Sequence, residues 1–198
     1  MSRAELRRVV VVGTSCVGKT TFARRRARIL ATSHVELDAL YWGPNWTAAA
    51  PGTFRARVAE AIAADRWVAD GNYSISRDIL WARATTIIWL DYAFGRVAWR
   101  ALSRTVGRAL RGEELYSGNR ESLRTAFLSR ESIVWWAVST FWPRRRRYAA
   151  RFAAPPFAHL TMLRFRRPIE AEAFLRAVEA GRTEAPEEGA CSGGSQRL

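Results

Sequence analysis

The sequence predicts a three-layer α/β domain in which helices cover both faces of a parallel β-sheet. Short apolar or β-branched runs alternate with stretches of helical periodicity along the chain. A glycine-bounded loop joins the first apolar run directly to a helical stretch, and three later runs end in Asp or are followed directly by Asp, a typical turn residue. Strands that alternate with helices in this way form right-handed βαβ units, which bury a parallel sheet between two helical layers.

The predicted elements follow this alternation through most of the chain. Strands are predicted over residues 8–12, 34–38, 67–69, 85–90 and 159–165. Helices are predicted over residues 20–31, 53–65, 94–111, 122–142 and 169–180. Residues 40–46 are predicted to form a loop because Gly43 and Pro44 disfavour regular structure. Pro143 is predicted to end the fourth helix.

Composition indicates a single globular domain. The chain has 198 residues, of which 48% are hydrophobic and 12% are aromatic, and such a chain buries a sizeable core. Cys16 and Cys191 lie far apart, which disfavours a structural disulfide, and the apolar run near the N-terminus is too short for a secretory signal. We therefore expect a cytoplasmic protein. No transmembrane segment is predicted, since the most apolar stretch, residues 133–142, is about half of what a bilayer requires.

The strong positive charge favours anionic partners. The net charge of +14 comes almost wholly from arginine, because Lys19 is the only lysine in the chain. Nucleotide phosphates, nucleic acid and an anionic membrane surface all fit such a surplus. A coding bias toward arginine that produces a solvated basic surface is the alternative interpretation.

The most specific motif is the sequence Gly-Thr-Ser-Cys-Val-Gly-Lys-Thr at residues 13–20. It matches the phosphate-binding P-loop pattern and lies between a predicted strand and a predicted helix, which is the context that the pattern requires. Glycines let backbone N–H groups surround phosphates, Lys19 is expected to contact the β and γ phosphates, and Thr20 is expected to bind Mg²⁺. ATP and Mg²⁺ are thus the predicted cofactors. The predicted nucleotide-binding residues here are Gly13, Thr14, Ser15, Cys16, Val17, Gly18, Lys19, Thr20 and Thr21.

Two aspartates are candidates for the carboxylate that holds the Mg²⁺ shell opposite Thr20. Asp70 and Asp91 each follow a predicted strand, and each also fits an ordinary turn residue. Asp70 is preferred because the sequence Asp-Gly-Asn-Tyr indicates a close approach of the backbone to a ligand. Asp91 fits the beginning of the next helix.

Asp38 is a candidate for holding or deprotonating the phosphate acceptor. It ends the second predicted strand, at the sheet edge where ligands bind in open α/β folds, next to Tyr41, Trp42 and Trp46. A turn-forming aspartate beside surface aromatics is the alternative. His34 and His159 are interpreted as ordinary strand residues because neither has metal-ligand spacing.

Arginines recur at four-residue intervals on the predicted helix over residues 94–111. Arg96, Arg100 and Arg104 are candidates for a lid that neutralises the transferred phosphoryl group, and a solvated helical face is the alternative. The catalytic prediction therefore comprises Lys19, Asp38, Asp70, Arg96, Arg100 and Arg104. We expect a kinase-like domain over residues 1–180, with a lid region at about 94–147, and a disordered tail over residues 181–198.

The motifs together resemble a known group of small P-loop proteins, the adenylate kinase-like proteins of the bacterial DNA topology modulation group. The resemblance rests on residues 13–20, 34–38, 40–46, 67–73, 87–91 and 163–167, within residues 8–176. It implies a five-stranded parallel sheet of the nucleoside monophosphate kinase type, a lid between the fourth and fifth strands, and ATP-dependent kinase chemistry. It also implies that Asp70 is the strand-end aspartate of the adenylate kinase pattern and that Arg166 and Arg167 lie near the adenine.

The chain departs from this group's pattern in two places. Residues 76–83 lack an expected Asp-x-Arg-Leu spacing, with Leu80 where an arginine usually stands, so that Arg77 or Arg83 is the candidate substitute. The Leu-Arg-x-x-Gln pattern by which adenylate kinases recognise AMP is also missing from the sequence. AMP is therefore not predicted as the acceptor.

The leading functional prediction is an ATP-dependent kinase that acts on a small acceptor, such as a nucleoside monophosphate. The alternative is an ATP-responsive protein that associates with nucleic acid through its arginine-rich lid surface, including residues 144–147. A plain ATPase ranks third because lid closure normally excludes water. The sequence does not predict an oligomeric state, since the apolar face of residues 122–142 fits either the core or a dimer contact.

Overall fold

The computed structural model of the chain describes residues 6–111, 133–154 and 157–183. The strands in these ranges are β1 (Arg8–Gly13), β2 (Ser33–Glu36), β3 (Trp67–Asp70), β4 (Thr86–Leu90) and β5 (Thr161–Phe165). The helices are α1 (Lys19–Ile29), α2 (Leu37–Tyr41), α3 (Pro51–Ala61), α4 (Arg77–Arg83), α5 (Phe94–Arg111), α6 (Ile133–Ala153) and α7 (Pro168–Thr183). Two short 3₁₀ turns, Pro44–Trp46 and Ser74–Ser76, precede α3 and α4.

The strands form one parallel sheet in the order β2-β3-β1-β4-β5. β1 lies at its centre, with Val11 paired with Asp70 of β3 and with Ile88 of β4. The predicted fold class is confirmed. Because all strands run in the same direction, the loops that follow β1, β3 and β4 meet at one edge of the sheet.

Both faces of the sheet are buried, which explains the continuous valine run of β1. Val9 and Val11 pack into one hydrophobic cluster with Phe22 of α1. Val10 and Val12 pack on the opposite face, in a cluster that contains several large aromatic side chains. The fully or nearly fully buried aromatic residues of that second cluster are Phe54, Trp67, Trp81, Trp89 and Tyr148.

The end of β2 and the segment that follows it differ from the prediction. β2 ends at Glu36 and the chain turns at once into α2, because the buried side chain of Leu37 anchors this helix to the core. Asp38 consequently lies in the first turn of α2 instead of at a strand end. The region predicted as a loop over residues 40–46 therefore begins with the last residues of a helix.

Helix α6 does not end at Pro143 as predicted; it continues for ten residues to Ala153. Pro143 lies on the exposed side of the helix, while Phe141 and Tyr148 are buried on its inner side. A packed inner face stabilises the helix on both sides of the proline, although the ring removes one backbone hydrogen bond.

Other parts of the predicted domain organisation lie partly outside the described residues. Residues 112–132 of the predicted lid and residues 184–198 of the predicted tail are not described. Helix α7 extends to Thr183, three residues beyond its predicted end at residue 180. No helix in the described ranges is long and apolar enough to cross a membrane.

Candidate nucleotide and acceptor site

The loop after β1 has the backbone geometry of a phosphate cradle. Gly13 and Gly18 have φ of +149° and +104°, values that side-chain-bearing residues rarely adopt. A Cβ atom at Gly13 would lie 2.6 Å from the carbonyl oxygen of Leu90, so that only glycine fits between β1 and β4. α1 begins at Lys19, and its first N–H groups therefore point toward this loop, where a phosphate can accept them.

The other predicted loop residues line or flank this turn. Thr14, Cys16 and Val17 are buried, Ser15 is partly exposed, and Thr21 is exposed in the first turn of α1. Their predicted contacts with nucleotide are not tested by the structure and stay predictions.

Lys19 lies between the loop and two carboxylates. Its ammonium group donates a hydrogen bond to the carbonyl oxygen of Thr14 at 3.0 Å. Burial lowers the pKa of Lys19, the carboxylates of Asp38 and Asp70 oppose this shift, and the guanidinium of Arg144 adds to it. A partly desolvated ammonium group interacts more strongly with an anion than one in bulk water. Lys19 is therefore suited to contact a phosphate.

Asp70 and Thr20 form a direct contact at the carboxyl end of β3. The hydroxyl of Thr20 donates to Oδ2 of Asp70 at 2.7 Å, and the other carboxylate oxygen of Asp70 lies 2.7 Å from Nε2 of His34. Asp70 is 2% exposed. A threonine hydroxyl next to a fixed carboxylate fits Mg²⁺, which typically takes few protein ligands and completes its shell with water and phosphate oxygens. Within the described ranges, no group of three or more His, Cys, Asp and Glu side chains is arranged so that it could hold a metal ion.

Asp91, the competing candidate, is engaged elsewhere. Nε of Arg145 lies 2.9 Å from Oδ1 of Asp91, and Nε of Arg164 donates to Oδ2 at 3.0 Å. The Arg164 guanidinium also lies over the ring of Trp89, 4.3 Å from its centroid. These contacts join α6 and β5 to the end of β4, which is a structural role for Asp91.

Asp38, in α2, acts electrostatically on the ammonium group of Lys19, as Asp70 does. The hydroxyl of Tyr73 donates to Oδ1 of Asp38 at 2.6 Å. The ring of Tyr73 packs against Tyr41 and Phe54, with centroids 4.6 Å and 4.9 Å away. Of the aromatic residues predicted to lie beside Asp38, the half-buried Tyr41 thus supports Tyr73, whereas Trp46 is exposed.

Asn72 connects the P-loop to helix α6. Its amide nitrogen donates to the carbonyl oxygen of Gly13 at 2.6 Å, and its side-chain oxygen accepts from the backbone N–H of Gly13 at 3.3 Å. The buried hydroxyl of Tyr148 donates to the same side-chain oxygen at 2.9 Å. This network fixes the beginning of the P-loop relative to β3 and α6.

The three predicted lid arginines differ in their contacts. The guanidinium of Arg100 contacts the loop, since a Cβ atom at Gly18 would lie 3.1 Å from Nη2 of Arg100. Arg96 is exposed. Burial raises the pKa of Tyr92, and the charges of Arg100 and Arg96 oppose this shift. Arg104 is exposed, and no described contact joins it to the P-loop.

Arg166 and Arg167 lie in the turn between β5 and α7. The backbone N–H of Arg166 donates to Glu170 at 2.8 Å, and Nε of Arg167 donates to the same carboxylate at 2.8 Å. The turn is therefore capped by Glu170 in a way that is typical of a helix N-terminus. Their proximity to an adenine stays a prediction.

Of the two arginines considered as acceptor ligands, only Arg77 is directed toward α6. Arg83 donates to the carbonyl oxygen of Ala63 at 2.9 Å and so contacts the segment that follows α3. Arg77 begins α4, and its electrostatic neighbours are Tyr148, Arg147 and Arg151.

Several residues of this site were not selected by sequence reasoning: His34, Asn72, Arg144 and Tyr148. His34 was interpreted as an ordinary strand residue, and nothing in its local sequence indicates its contact with Asp70. Arg144 and Tyr148 are four residues apart on one helix, a spacing that places them on one face. That signal was hidden because the helix was predicted to end at Pro143.

The fold is similar to that of solved small kinases. A gluconokinase from Sinorhizobium meliloti 1021 aligns with a TM-score of 0.51 and 17% identity, over 91% of this chain and 94% of that chain. A shikimate kinase from Bacteroides thetaiotaomicron aligns with a TM-score of 0.52 and 11% identity, over 88% and 97%. A shikimate kinase from Acinetobacter baumannii in complex with shikimate aligns with a TM-score of 0.50 and 16% identity, over 90% and 96%. No family model and no curated protein sequence matches the chain.

These likenesses establish the fold. The chain has the three-layer α/β fold of small P-loop kinases, with the strand order 2-3-1-4-5. At these identities the alignments carry neither substrate nor activity to this chain.

Proposed function

We propose that this chain is an ATP-dependent kinase that transfers the γ-phosphoryl group of ATP to a hydroxyl or phosphate oxygen of a small acceptor. The observation that supports this most strongly is the convergence of Lys19, the Thr20–Asp70 pair and Asp38 at one edge of the sheet. The fold, which is shared with small-molecule kinases, is consistent with the proposal. Membership of the narrower topology modulation group stays a prediction.

The P-loop residues and the start of α1 would hold the phosphates of ATP. Backbone N–H groups between Gly13 and Thr20 donate to phosphate oxygens, and Lys19 supplies a positive charge at the β and γ phosphates. Thr20 and Asp70 would hold Mg²⁺, which neutralises phosphate charge when bound. Arg100, next to Gly18, would neutralise the phosphoryl group from the lid side.

Asp38 would act on the acceptor. In the transfer, the acceptor oxygen forms a bond to the γ phosphorus, the bond from that phosphorus to the β–γ bridging oxygen breaks, and ADP leaves. An acceptor hydroxyl would lose its proton to a carboxylate oxygen of Asp38. The hydrogen bond that the Tyr73 hydroxyl donates to Asp38 fixes the orientation of this carboxylate. Positioning and charge stabilisation account for most of the catalysis in phosphoryl transfer.

The test measures ADP formation from ATP and Mg²⁺ with a panel of nucleoside monophosphates and hydroxylated metabolites. We expect one acceptor to accelerate turnover well above background, Lys19→Ala to abolish it, and Asp38→Asn to lower kcat by roughly 10²–10⁴-fold while ATP still binds. Acceleration that persists in Lys19→Ala would overturn the assignment of this site.

The nucleic-acid alternative gives a different result in the same assay. If no acceptor raises turnover and nucleic acid alone changes it, with a steep loss of the effect as salt rises, the kinase proposal is wrong. A small acceptor in a pocket responds much less to salt.

A further inference from the structure

The side chain of Asn72 takes the place of a strand neighbour of Gly13. Strand β3 ends at Asp70, and the N–H of Gly71 donates to the carbonyl oxygen of Val11 at 3.3 Å. Gly13 lies two residues beyond Val11 on β1 and therefore directs its backbone groups to the same side of the strand. Both groups bond there to the carboxamide of Asn72, at 2.6 Å from Nδ2 and 3.3 Å from Oδ1. The carboxamide thus continues the hydrogen-bond ladder where β3 has ended.

Tyr148 of helix α6 adds a third hydrogen bond to this carboxamide. Its hydroxyl donates to Oδ1 of Asn72 at 2.9 Å, so that Oδ1 accepts from two donors on different elements. If the carboxamide were turned over, its NH₂ group would face the N–H of Gly13, and its oxygen would face the Gly13 carbonyl oxygen. Only the observed orientation pairs donors with acceptors at Gly13. The Tyr148 ring is buried against Trp89, and this packing holds the hydroxyl in place.

Helix α6 is joined to the segments on both sides of the P-loop. On the β3 side the contact is the hydrogen bond of Tyr148 just described. On the β4 side, Nε of Arg145 lies 2.9 Å from Oδ1 of Asp91, the residue that follows Leu90. Leu90 pairs with Gly13 in the sheet, and its carbonyl oxygen would lie 2.6 Å from a Cβ atom at that glycine. A movement of α6 therefore acts on Gly13 from both sides.

The contact with Gly13 extends into the phosphate-binding loop. The carbonyl of Gly13 and the N–H of Thr14 belong to one planar peptide group, so that the bond from Asn72 also fixes the direction of this N–H. The carbonyl oxygen of Thr14 accepts from the ammonium group of Lys19 at 3.0 Å. The connected groups belong, in order, to Tyr148, Asn72, Gly13, Thr14 and Lys19.

We propose that Tyr148 is a positioning residue for the phosphate-binding loop, that it acts through Asn72, and that it couples nucleotide binding to the position of helix α6. Phosphates that accept from the loop N–H groups stabilise one conformation of the loop. The hydrogen bonds of Asn72 to Gly13 stabilise the same conformation from the other side. Nucleotide binding and the docking of α6 therefore stabilise each other equally. This coupling rests on the nucleotide binding of the proposed function and does not require phosphoryl transfer.

The experiment is a double-mutant cycle on nucleotide affinity in the full chain. Calorimetry measures the Kd of ADP with Mg²⁺ for the wild type, Tyr148→Phe, Asn72→Ala and the double variant. Tyr148→Phe removes the hydroxyl and keeps the ring against Trp89. The matched control is Phe152→Leu, because the half-buried Phe152 also packs on Trp89 from α6, with centroids 5.2 Å apart, and makes no side-chain hydrogen bond.

We expect Tyr148→Phe to raise the Kd of ADP roughly three- to tenfold, as the loss of one neutral hydrogen bond does. Asn72→Ala should raise it at least as much. Adding Tyr148→Phe to Asn72→Ala should change the Kd by less than about twofold, because the hydroxyl acts through the missing amide. Phe152→Leu should also stay within about twofold of the wild type, even where its unfolding midpoint falls. Additive effects in the double variant, or an unchanged Kd in Tyr148→Phe, would overturn the proposal.

Amide hydrogen exchange measures the coupling to α6 directly, and a purely structural role of Tyr148 would leave it unchanged. In the wild type, saturating ADP is expected to slow exchange in the P-loop and, by roughly threefold or more, in residues 144–152. In Tyr148→Phe at saturating ADP, only the P-loop should be slowed. Equal slowing of residues 144–152 in both proteins, or none in the wild type, would contradict the coupling.

The proposed kinase function fails by a different result. If the cycle holds for ADP and no acceptor accelerates ATP turnover in the wild type, the role of Tyr148 stands and the kinase proposal is wrong. If an acceptor is phosphorylated and Tyr148→Phe binds ADP as tightly as the wild type, the kinase proposal stands and the coupling is wrong. A wild type that binds neither ADP nor ATP would overturn both.

Discussion

The hydroxyl of Thr20 lies 2.7 Å from a carboxylate oxygen of Asp70, although fifty residues separate them in the sequence. Parallel pairing of β1 with β3 causes this contact, because it places the beginning of α1 next to the end of β3. Asp91, which follows β4 on the other side of β1, is instead bound by Arg145 and Arg164. The two strand-end aspartates therefore differ in what they contact.

Substitution of Asp70 by Asn should weaken the effect of Mg²⁺ on ATP binding. The affinity for ATP is measured by calorimetry with Mg²⁺ and again with a chelator. In Asp70→Asn the ratio of the two affinities is expected to fall at least tenfold, because the carboxylate that fixes the metal shell is lost. ATP binding in the presence of the chelator should remain, since Lys19 and the loop backbone still contact the phosphates.

Asp91→Asn provides the contrast to Asp70→Asn. It should leave unchanged the ratio of the ATP affinities measured with Mg²⁺ and with a chelator. It should also lower the free energy of unfolding by about 2 kcal/mol, which is typical of lost hydrogen bonds to charged groups. The partial exposure of Arg145 and Arg164 allows water to replace the carboxylate, which limits the cost. The opposite pattern, with the Mg²⁺ ratio lost in Asp91→Asn and kept in Asp70→Asn, would exchange their roles.

His34 is expected to position Asp70. Its Nε2 lies 2.7 Å from Oδ1 of Asp70, so His34→Ala frees one carboxylate oxygen and should raise the Mg²⁺ concentration for half-maximal ATP binding roughly tenfold. His34→Gln, which can place an amide nitrogen near the same position, should restore much of the effect.

The second histidine of the chain, the exposed His159, serves as the control for His34. His159→Ala should leave the Mg²⁺ dependence unchanged. If His34→Ala lowers stability with no change in Mg²⁺ dependence, His34 is a structural residue only.

Gly71 is predicted to be intolerant of a side chain. It has φ of +147°, and an added Cβ would lie 2.8 Å from Cβ of the buried Leu37. Gly71→Ala should lower the free energy of unfolding by at least about 1–3 kcal/mol through backbone strain and overpacking. Denaturant unfolding measures the difference.

Gly52 is the matched control for Gly71. A Cβ at Gly52 meets nothing within 4 Å, and the residue lies in the first turn of α3. Gly52→Ala should stabilise the protein by roughly 0.5 kcal/mol because the unfolded chain loses freedom. Equal destabilisation by both substitutions would contradict the packing argument.

The ion pair between Arg55 and Asp78 should make the stability of the protein depend on pH. Its hydrogen bonds to Arg55 lower the pKa of Asp78 from 3.8 to about 2. Because the folded pKa lies below the unfolded value, the pair stabilises the protein above about pH 4 and this contribution is lost as the pH falls toward 2.

Arg55→Gln should return the pKa of Asp78 toward 3.8, and a carboxyl NMR titration measures it directly. Arg57→Gln, in the same helix, removes a hydrogen bond to the carbonyl oxygen of Leu40 and should leave the pKa of Asp78 near 2. An unchanged pKa in Arg55→Gln would show that another group holds it down.

Much of the fold was predictable because its causes are local. A continuous valine run, the glycine spacing of residues 13–20 and the alternation of strands with helices predict β1, the loop, α1 and the parallel sheet. Boundaries were predicted less well. α2 begins where a strand was expected to continue because Leu37 is buried, and α6 passes Pro143 because its inner face is packed. Both are effects of tertiary packing that override local propensity.

By itself the sequence determined the P-loop motif and its position between strand and helix, and it predicted Asp70 over Asp91 as the carboxylate of the metal shell. Only the tertiary structure decided which distant side chains meet that loop. His34, Asn72, Arg144 and Tyr148 reach the site from β2, the turn after β3 and helix α6. The physical reason is that a motif within one loop fixes its own backbone conformation, whereas contacts between residues far apart in sequence depend on strand order and helix packing, which no local pattern encodes.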